Sequence, residues 1–196
     1  MLSNYKNYVE KSLTPLARNL SWVNPNALTL IGIIPQALFF IFMRQHHFDY
    51  AAVALAFSAV DLLDGAIART NNQVTAFGGF LDSTVDRISD FILVAAFYAG
   101  GLISLLLASV LLVASYLISY VRSRAELAAM GKIKFNYGLI ERPERIIFMF
   151  LVLILHMFMP HASIGNMPLT EFLIWILAIL SIFTLLQRIW HAYKKL

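Results

Sequence analysis

Apolar runs of bilayer length recur along this chain, and nothing else in it restricts the fold as strongly. Inside lipid no water satisfies a bare N–H or C=O group, so only helices and closed barrels span it. The runs are continuous rather than alternating, which selects helices. Six runs, 25–43, 48–69, 78–99, 102–121, 145–160 and 170–188, approach the roughly 20 residues a bilayer demands. The fifth is short, and its helix is expected to start a few residues earlier. Only Gly100 and Gly101 separate the third from the fourth, which predicts a tight turn at the membrane face. Residues 1–20 differ in kind. Leu2, Tyr5, Val9, Leu13 and Leu16 recur at helical spacing opposite Lys6, Glu10 and Lys11, the pattern of an amphipathic helix lying on the bilayer surface. The expected fold class is therefore an all-α integral membrane protein. It has six transmembrane helices plus an N-terminal amphipathic surface helix, and residues 1–196 form a single membrane domain. No internal repeat, low-complexity tract or cleavable signal peptide is visible.

Charge sets the orientation. Only 13% of the residues are charged, against about 25% in a soluble domain. With both termini cytoplasmic, Arg44 alone among the 15 Lys and Arg falls on the outer side. The expected location is the cytoplasmic membrane, multi-pass, with the active site on the cytoplasmic side. The net charge of +4 is read as loop charge facing anionic lipid and not as a nucleic-acid surface. The absence of cysteine excludes disulfides, zinc–thiolate sites and cysteine nucleophiles.

The second and third spans hold what a bilayer should exclude: Asp61, Asp64, Asp82, Asp86 and Asp90, with Arg69 and Arg87. Each charge near the bilayer centre costs at least about 2.5–3.5 kcal/mol, so an idle cluster would not persist. Two arginines do not neutralise five carboxylates, which argues against a polar seam that merely packs helices. Asp61 and Asp64 are three residues apart and Asp82 and Asp86 four, so each pair shares a helix face. At about 1.5 Å per residue, all four stand roughly 6–13 Å above the cytoplasmic loop joining the two helices. Hard oxygen donors at that density suit Mg²⁺, Mn²⁺ or Ca²⁺. Two such ions about 3.5–4 Å apart balance the charge and suit a phosphoryl-type displacement. Asp90, one turn deeper, reads as structural, paired with Arg87. Gly65 and the Gly78–Gly79 pair beside the carboxylates permit a close ligand approach. Intramembrane carboxylates also line transport paths, but transporters show repeated halves, and none is visible here.

The run Asp61-x-x-Asp64-Gly65-x-x-Ala68-Arg69, then Gly78-x-x-x-Asp82-x-x-x-Asp86, resembles the signature of the CDP-alcohol phosphotransferase family at every fixed position. The span layout and leading surface helix resemble the family too. That resemblance implies a membrane homodimer, a CDP-linked lipid donor entering from the bilayer, an alcohol acceptor and CMP as leaving group. It also implies two divalent metal ions, Mg²⁺ or Mn²⁺, held by Asp61, Asp64, Asp82 and Asp86, with Asp86 also the general base. By the same resemblance Gly65 and Arg69 contact the CDP moiety. The entrance Asn24-Pro25-Asn26-Ala27-Leu28-Thr29 makes Asn26 and Thr29 nucleotide-site candidates, with Thr75 and Gly78 in the loop and helix start ahead of Asp82.

The acceptor is read from the other half of the chain. Tyr120-Val121-Arg122-Ser123-Arg124-Ala125-Glu126, Glu141-Arg142-Pro143-Glu144-Arg145 and Gln187-Arg188 lie at three helix ends on the cytoplasmic face. Guanidinium forks bind phosphate bidentately. Arg122, Arg142, Arg145 and Arg188 are thus expected to grip an acceptor phosphate. The pattern resembles the branch of the family that transfers a phosphatidyl or archaetidyl group from CDP-diacylglycerol or CDP-archaeol to L-myo-inositol 1-phosphate (1D-myo-inositol 3-phosphate). Glycerol 3-phosphate, which also carries a phosphate, is the competing acceptor, and a cation or proton transporter the distant alternative. Lys132, Lys134, Lys194 and Lys195 read as ordinary positive-inside flanking, and the histidines match no site pattern.

Overall fold

Pro25 opens the first helix of the computed structural model, which describes residues 24–58, 67–71, 73–133, 135 and 137–196. The expected surface helix at 1–20 and the carboxylates Asp61 and Asp64 with Gly65 lie outside the described residues. Two compact units divide the chain, Met1–Gly100 and Gly101–Leu196.

In the first unit, Asn24 caps α1 (Pro25–Ile31) by accepting from the Asn26 N–H at 2.9 Å. The first span is not one continuous helix. The chain turns at Gly32 and resumes as α2 (Ile33–Arg44). Pro35 lacks the N–H that would reach the Ile31 carbonyl, and its ring crowds that carbonyl, so the ladder breaks there. A turn at 45–47, with His46 at φ 58°, leads into α3 (Phe48–Phe57). Ala51 and Ala54 on α3 are buried and let α2 approach closely. A short helical stretch follows at 67–70, and then α4 (Ala76–Ala99) packs against α1 and α2. Phe39 of α2 and Phe97 of α4 meet with ring centroids 6.3 Å apart.

The second unit contains α5 (Leu105–Ala128), α6 (Arg142–Phe158) and α7 (Leu169–Lys195), with α7 packed on both others. The turn after α4 is wider than two glycines, because helix resumes only after the Ser104 cap. The fifth span does start early, at Arg142, where the Glu144 carboxylate accepts from the Glu141 N–H at 3.2 Å. The all-α expectation needs one correction. β1 (Ser163–Ile164) and β2 (Met167–Pro168) form a small antiparallel hairpin around Gly165, whose φ is 60°. Glycine tolerates that conformation, and the loop between α6 and α7 closes by pairing its own backbone groups. Buried hydroxyls in this unit bond their own helix. Ser115 donates to the Leu111 carbonyl at 2.6 Å, Ser181 to Leu177 at 2.8 Å and Thr184 to Leu180 at 2.9 Å. These three hydroxyls are thereby satisfied within their own helices.

Among the described residues three helical stretches are long and apolar enough to cross a membrane: Pro25–Arg44, Leu105–Ala128 and Leu169–Lys195. Large apolar side chains such as Leu105, Leu106, Val113, Ile179 and Leu186 point outward, as expected where the surrounding solvent is lipid.

Candidate active site

The start of α4 is built from its cap. Thr75 is extended (φ −129°, ψ 154°), and its hydroxyl oxygen accepts from the Gly78 N–H at 2.9 Å. A Cβ at Gly78 would stand 3.0 Å from Asn26 Oδ1 and 3.0 Å from Thr75 Oγ1. Gly78 is therefore the point where the first turns of α1 and α4 touch, and any side chain there would push Asn26 aside. Three expected nucleotide-site residues, Asn26, Thr75 and Gly78, come together at this point. Thr29 lies one turn along α1 and is buried, and its hydroxyl donates to the Pro25 carbonyl at 3.0 Å. Arg69 is exposed in the 67–70 stretch, where Ile67 is fully buried beside it.

One turn beyond Gly78 in α4 stands Asp82, and one turn further Asp86. Asp82 is exposed, while the Asp86 side chain is 19% exposed. Arg87 Nη1 donates to Asp90 Oδ2 at 3.0 Å, and Arg87 Nη2 lies 3.9 Å from Asp86 Oδ2. Asp90, buried in the helix packing, is thus the partner of Arg87, as its sequence position suggested. Among the described residues no group of three or more His, Cys, Asp and Glu gathers to hold a metal. Asp82 and Asp86 are nonetheless a fitting half-set for a hard divalent cation. Both donate only oxygen, they share one helix face, and the arginine beside them is engaged by the deeper Asp90.

In the second unit the geometry is organised by Arg188. The side chain is 5% exposed, and its guanidinium donates to three acceptors. Nε reaches the Tyr137 carbonyl at 2.6 Å, Nη1 the Ile118 carbonyl at 2.9 Å and Nη2 Glu141 Oε1 at 2.9 Å. One residue at the end of α7 therefore ties α5, the 137–141 segment and the start of α6 together. Of the five N–H groups on a guanidinium, two remain, one on each Nη. The segment is fastened elsewhere too. The Ile140 N–H donates to Thr184 Oγ1 at 3.1 Å, and the Tyr137 and His191 rings lie 3.6 Å apart. Gly138 has φ 145°, and a Cβ there would stand 2.5 Å from Thr184 Cγ2, so no other residue fits this crossing.

Arg122, one turn beyond Ile118, is near enough to Arg188 for their charges to interact, as are Glu126 and Glu141. Arg142 is half-buried at the first turn of α6, and Arg145, one turn on, is 2% exposed. Of the arginines expected at three helix ends, Arg122 and Arg188 come near enough for their charges to interact, and Arg188 is also a structural clamp. Sequence reasoning assigned no role to Glu126 or Glu141. Each lies at helical spacing from an arginine or a helix start, and that charge pattern is the signal that marks them.

The CDP-alcohol phosphatidyltransferase family matches residues 22–186. The chain is 37% identical to the archaetidylinositol phosphate synthase of Pyrococcus horikoshii, with 100% of this chain and 98% of the relative covered. It is 34% identical to the archaetidylinositol phosphate synthase of Methanothermobacter thermautotrophicus, with 100% and 96% covered. Among solved structures it is similar to the Mycobacterium tuberculosis phosphatidylinositol phosphate synthase with CDP-DAG bound. That match has a TM-score of 0.75 at 30% identity and covers 92% of each chain. The same Mycobacterium enzyme in complex with manganese and citrate matches with a TM-score of 0.75 at 30% identity, covering 92% of this chain and 88% of that one.

Proposed function

The chain belongs to the CDP-alcohol phosphatidyltransferase family, and from that membership we propose that it makes an inositol phospholipid. The phosphatidyl or archaetidyl group of CDP-diacylglycerol or CDP-archaeol passes to L-myo-inositol 1-phosphate, and CMP is released. What carries this reading is the alignment of Asp82 and Asp86 along α4 directly below the meeting of Asn26, Thr75 and Gly78. That is a carboxylate ladder under a tight meeting of polar side chains, which suits a metal-bound pyrophosphate with its nucleotide beside it.

Asp61, Asp64, Asp82 and Asp86 would hold two divalent cations, Mg²⁺ or Mn²⁺. When bound, these neutralise the pyrophosphate and stabilise the departing CMP. Gly65, Arg69, Asn26, Thr29, Thr75 and Gly78 seat the CDP moiety. Arg122, Arg142, Arg145 and Arg188 hold the phosphate of the acceptor. The carboxylate of Asp86 takes the proton of the attacking inositol hydroxyl, within about 3 Å of it. The hydroxyl oxygen forms a bond to the lipid-bearing phosphorus, and the bond from that phosphorus to the CMP oxygen breaks. No covalent enzyme intermediate is required. The same reading takes residues 1–196 as one membrane domain with six spans, an N-terminal surface helix and both termini cytoplasmic, working as a homodimer.

The test is CMP release by the purified protein in lipid nanodiscs, with each acceptor offered in turn. Turnover is expected with inositol 1-phosphate, little with free inositol, and none in excess chelator. Turnover with glycerol 3-phosphate and none with inositol 1-phosphate would overturn the acceptor assignment. A second prediction concerns the donor. Gly78→Ala places a Cβ against Asn26 Oδ1 and should raise the KM for CDP-lipid about tenfold, leaving the acceptor KM within about twofold. An unchanged donor KM would remove Gly78 and Asn26 from the nucleotide site.

A further inference from the structure

We infer that Glu126 is a positioning residue that aims the guanidinium of Arg122 at the anionic acceptor. The inference rests on the reading above, in which Arg122 grips the acceptor phosphate. Helix α5 ends through left-handed residues, Met130 at φ 51° and Gly131 at φ 72°. The Gly131 N–H donates back to the Glu126 carbonyl at 3.0 Å, the bond that closes this kind of helix end. The chain is thereby folded back over the last turns of α5, and Phe135 is buried with 2% exposure. Its N–H then meets the Glu126 side chain, donating to Oε1 at 3.1 Å.

The same oxygen accepts from Arg122 Nε, also at 3.1 Å. An exposed Arg–Glu pair one turn apart contributes little by itself, since both side chains are free to leave it. Here the carboxylate is held from the far side by a main-chain N–H that cannot move without unseating Phe135. Arg122 has a side chain 41% exposed, so without that anchor it would sample many rotamers. With Nε engaged, the two Nη nitrogens form the outward end of the fork, the edge that binds a phosphate through two parallel hydrogen bonds. The Ile118 carbonyl one turn earlier is held by Arg188 Nη1 at 2.9 Å, which fixes the stretch of α5 that carries Arg122.

The experiment compares Glu126→Gln, Arg122→Ala and the double variant in nanodiscs, measuring KM for inositol 1-phosphate and for CDP-lipid, kcat, and melting temperature. Glutamine keeps an oxygen for the Phe135 N–H but removes the charge facing Arg122. Glu126→Gln should raise the acceptor KM about tenfold, with donor KM and kcat within about twofold and an unchanged melting temperature. The double variant should bind the acceptor no worse than Arg122→Ala alone. A raised acceptor KM in Arg122→Ala with none in Glu126→Gln overturns this inference and leaves the acceptor reading intact. Multiplying effects in the double variant also overturn it, because Glu126 would then act by another route. An unchanged acceptor KM in Arg122→Ala overturns both.

Discussion

Asp86→Asn lowers CMP release by roughly a thousandfold or more, the range expected when a general base and metal ligand is removed. That loss corresponds to about 4 kcal/mol of transition-state stabilisation at 1.36 kcal/mol per decade. Asparagine matches aspartate in shape, and the Asp86 side chain is only 19% exposed, so packing along α4 is preserved. The variant should therefore assemble and melt like the parent. It loses a negative oxygen for a cation and the basic atom that accepts the acceptor's proton. Arg87 stays in place, because its 3.0 Å bond is to Asp90 and not to Asp86. The check is single-turnover CMP release across a titration of Mn²⁺, with melting temperature measured alongside. Activity within tenfold of the parent in a well-folded variant would remove Asp86 from the chemistry.

Arg188→Ala has two expected consequences, and they are separable. The Tyr137 and Ile118 carbonyls and Glu141 Oε1 lose their common donor in a site where the arginine is 5% exposed. Removing one partner from such a buried charged network costs on the order of 3 kcal/mol, read as a lower melting temperature. The KM for inositol 1-phosphate should also rise by about one to two orders of magnitude, because one phosphate ligand is gone and the start of α6 is no longer clamped. The donor KM should stay within about twofold. Arg188→Lys should restore little, since a single ammonium cannot reach three acceptors lying in the directions of a planar fork. Equal increases in both KM values would mark Arg188 as a scaffold residue without a direct role toward the acceptor.

The features legible in the sequence were those carried by neighbours along the chain. Hydrophobic runs marked α2, α5 and α7, and the spacing of Asp82 and Asp86 placed both on one face of α4. The pairing of Arg87 with Asp90, one turn apart, followed from the same periodicity. The first run placed the start of α1 at residue 25, and the shortness of the fifth run pointed to the early start of α6. The break at Gly32 was less visible, because a proline in a span bends some helices and interrupts others, and its neighbours decide which. The hairpin between α6 and α7 escaped because two-residue strands have no period to read.

What only the tertiary structure decided is which side chains meet across helices. Asn26 and Gly78 touch because α1 and α4 are rotated so that their first turns face each other, and no local pattern encodes that rotation. Arg188 was expected on the strength of its charge, yet its backbone acceptors at Tyr137 and Ile118 appear only when the loop is folded against α7. Glu126 could be seen as a helical partner of Arg122, but not as the acceptor for the Phe135 N–H. Apolar periodicity is a property of each helix alone, and the sequence states it openly. The axial rotation of one helix against another comes from the sum of many small packing contacts, so it exists only once the partners are in place.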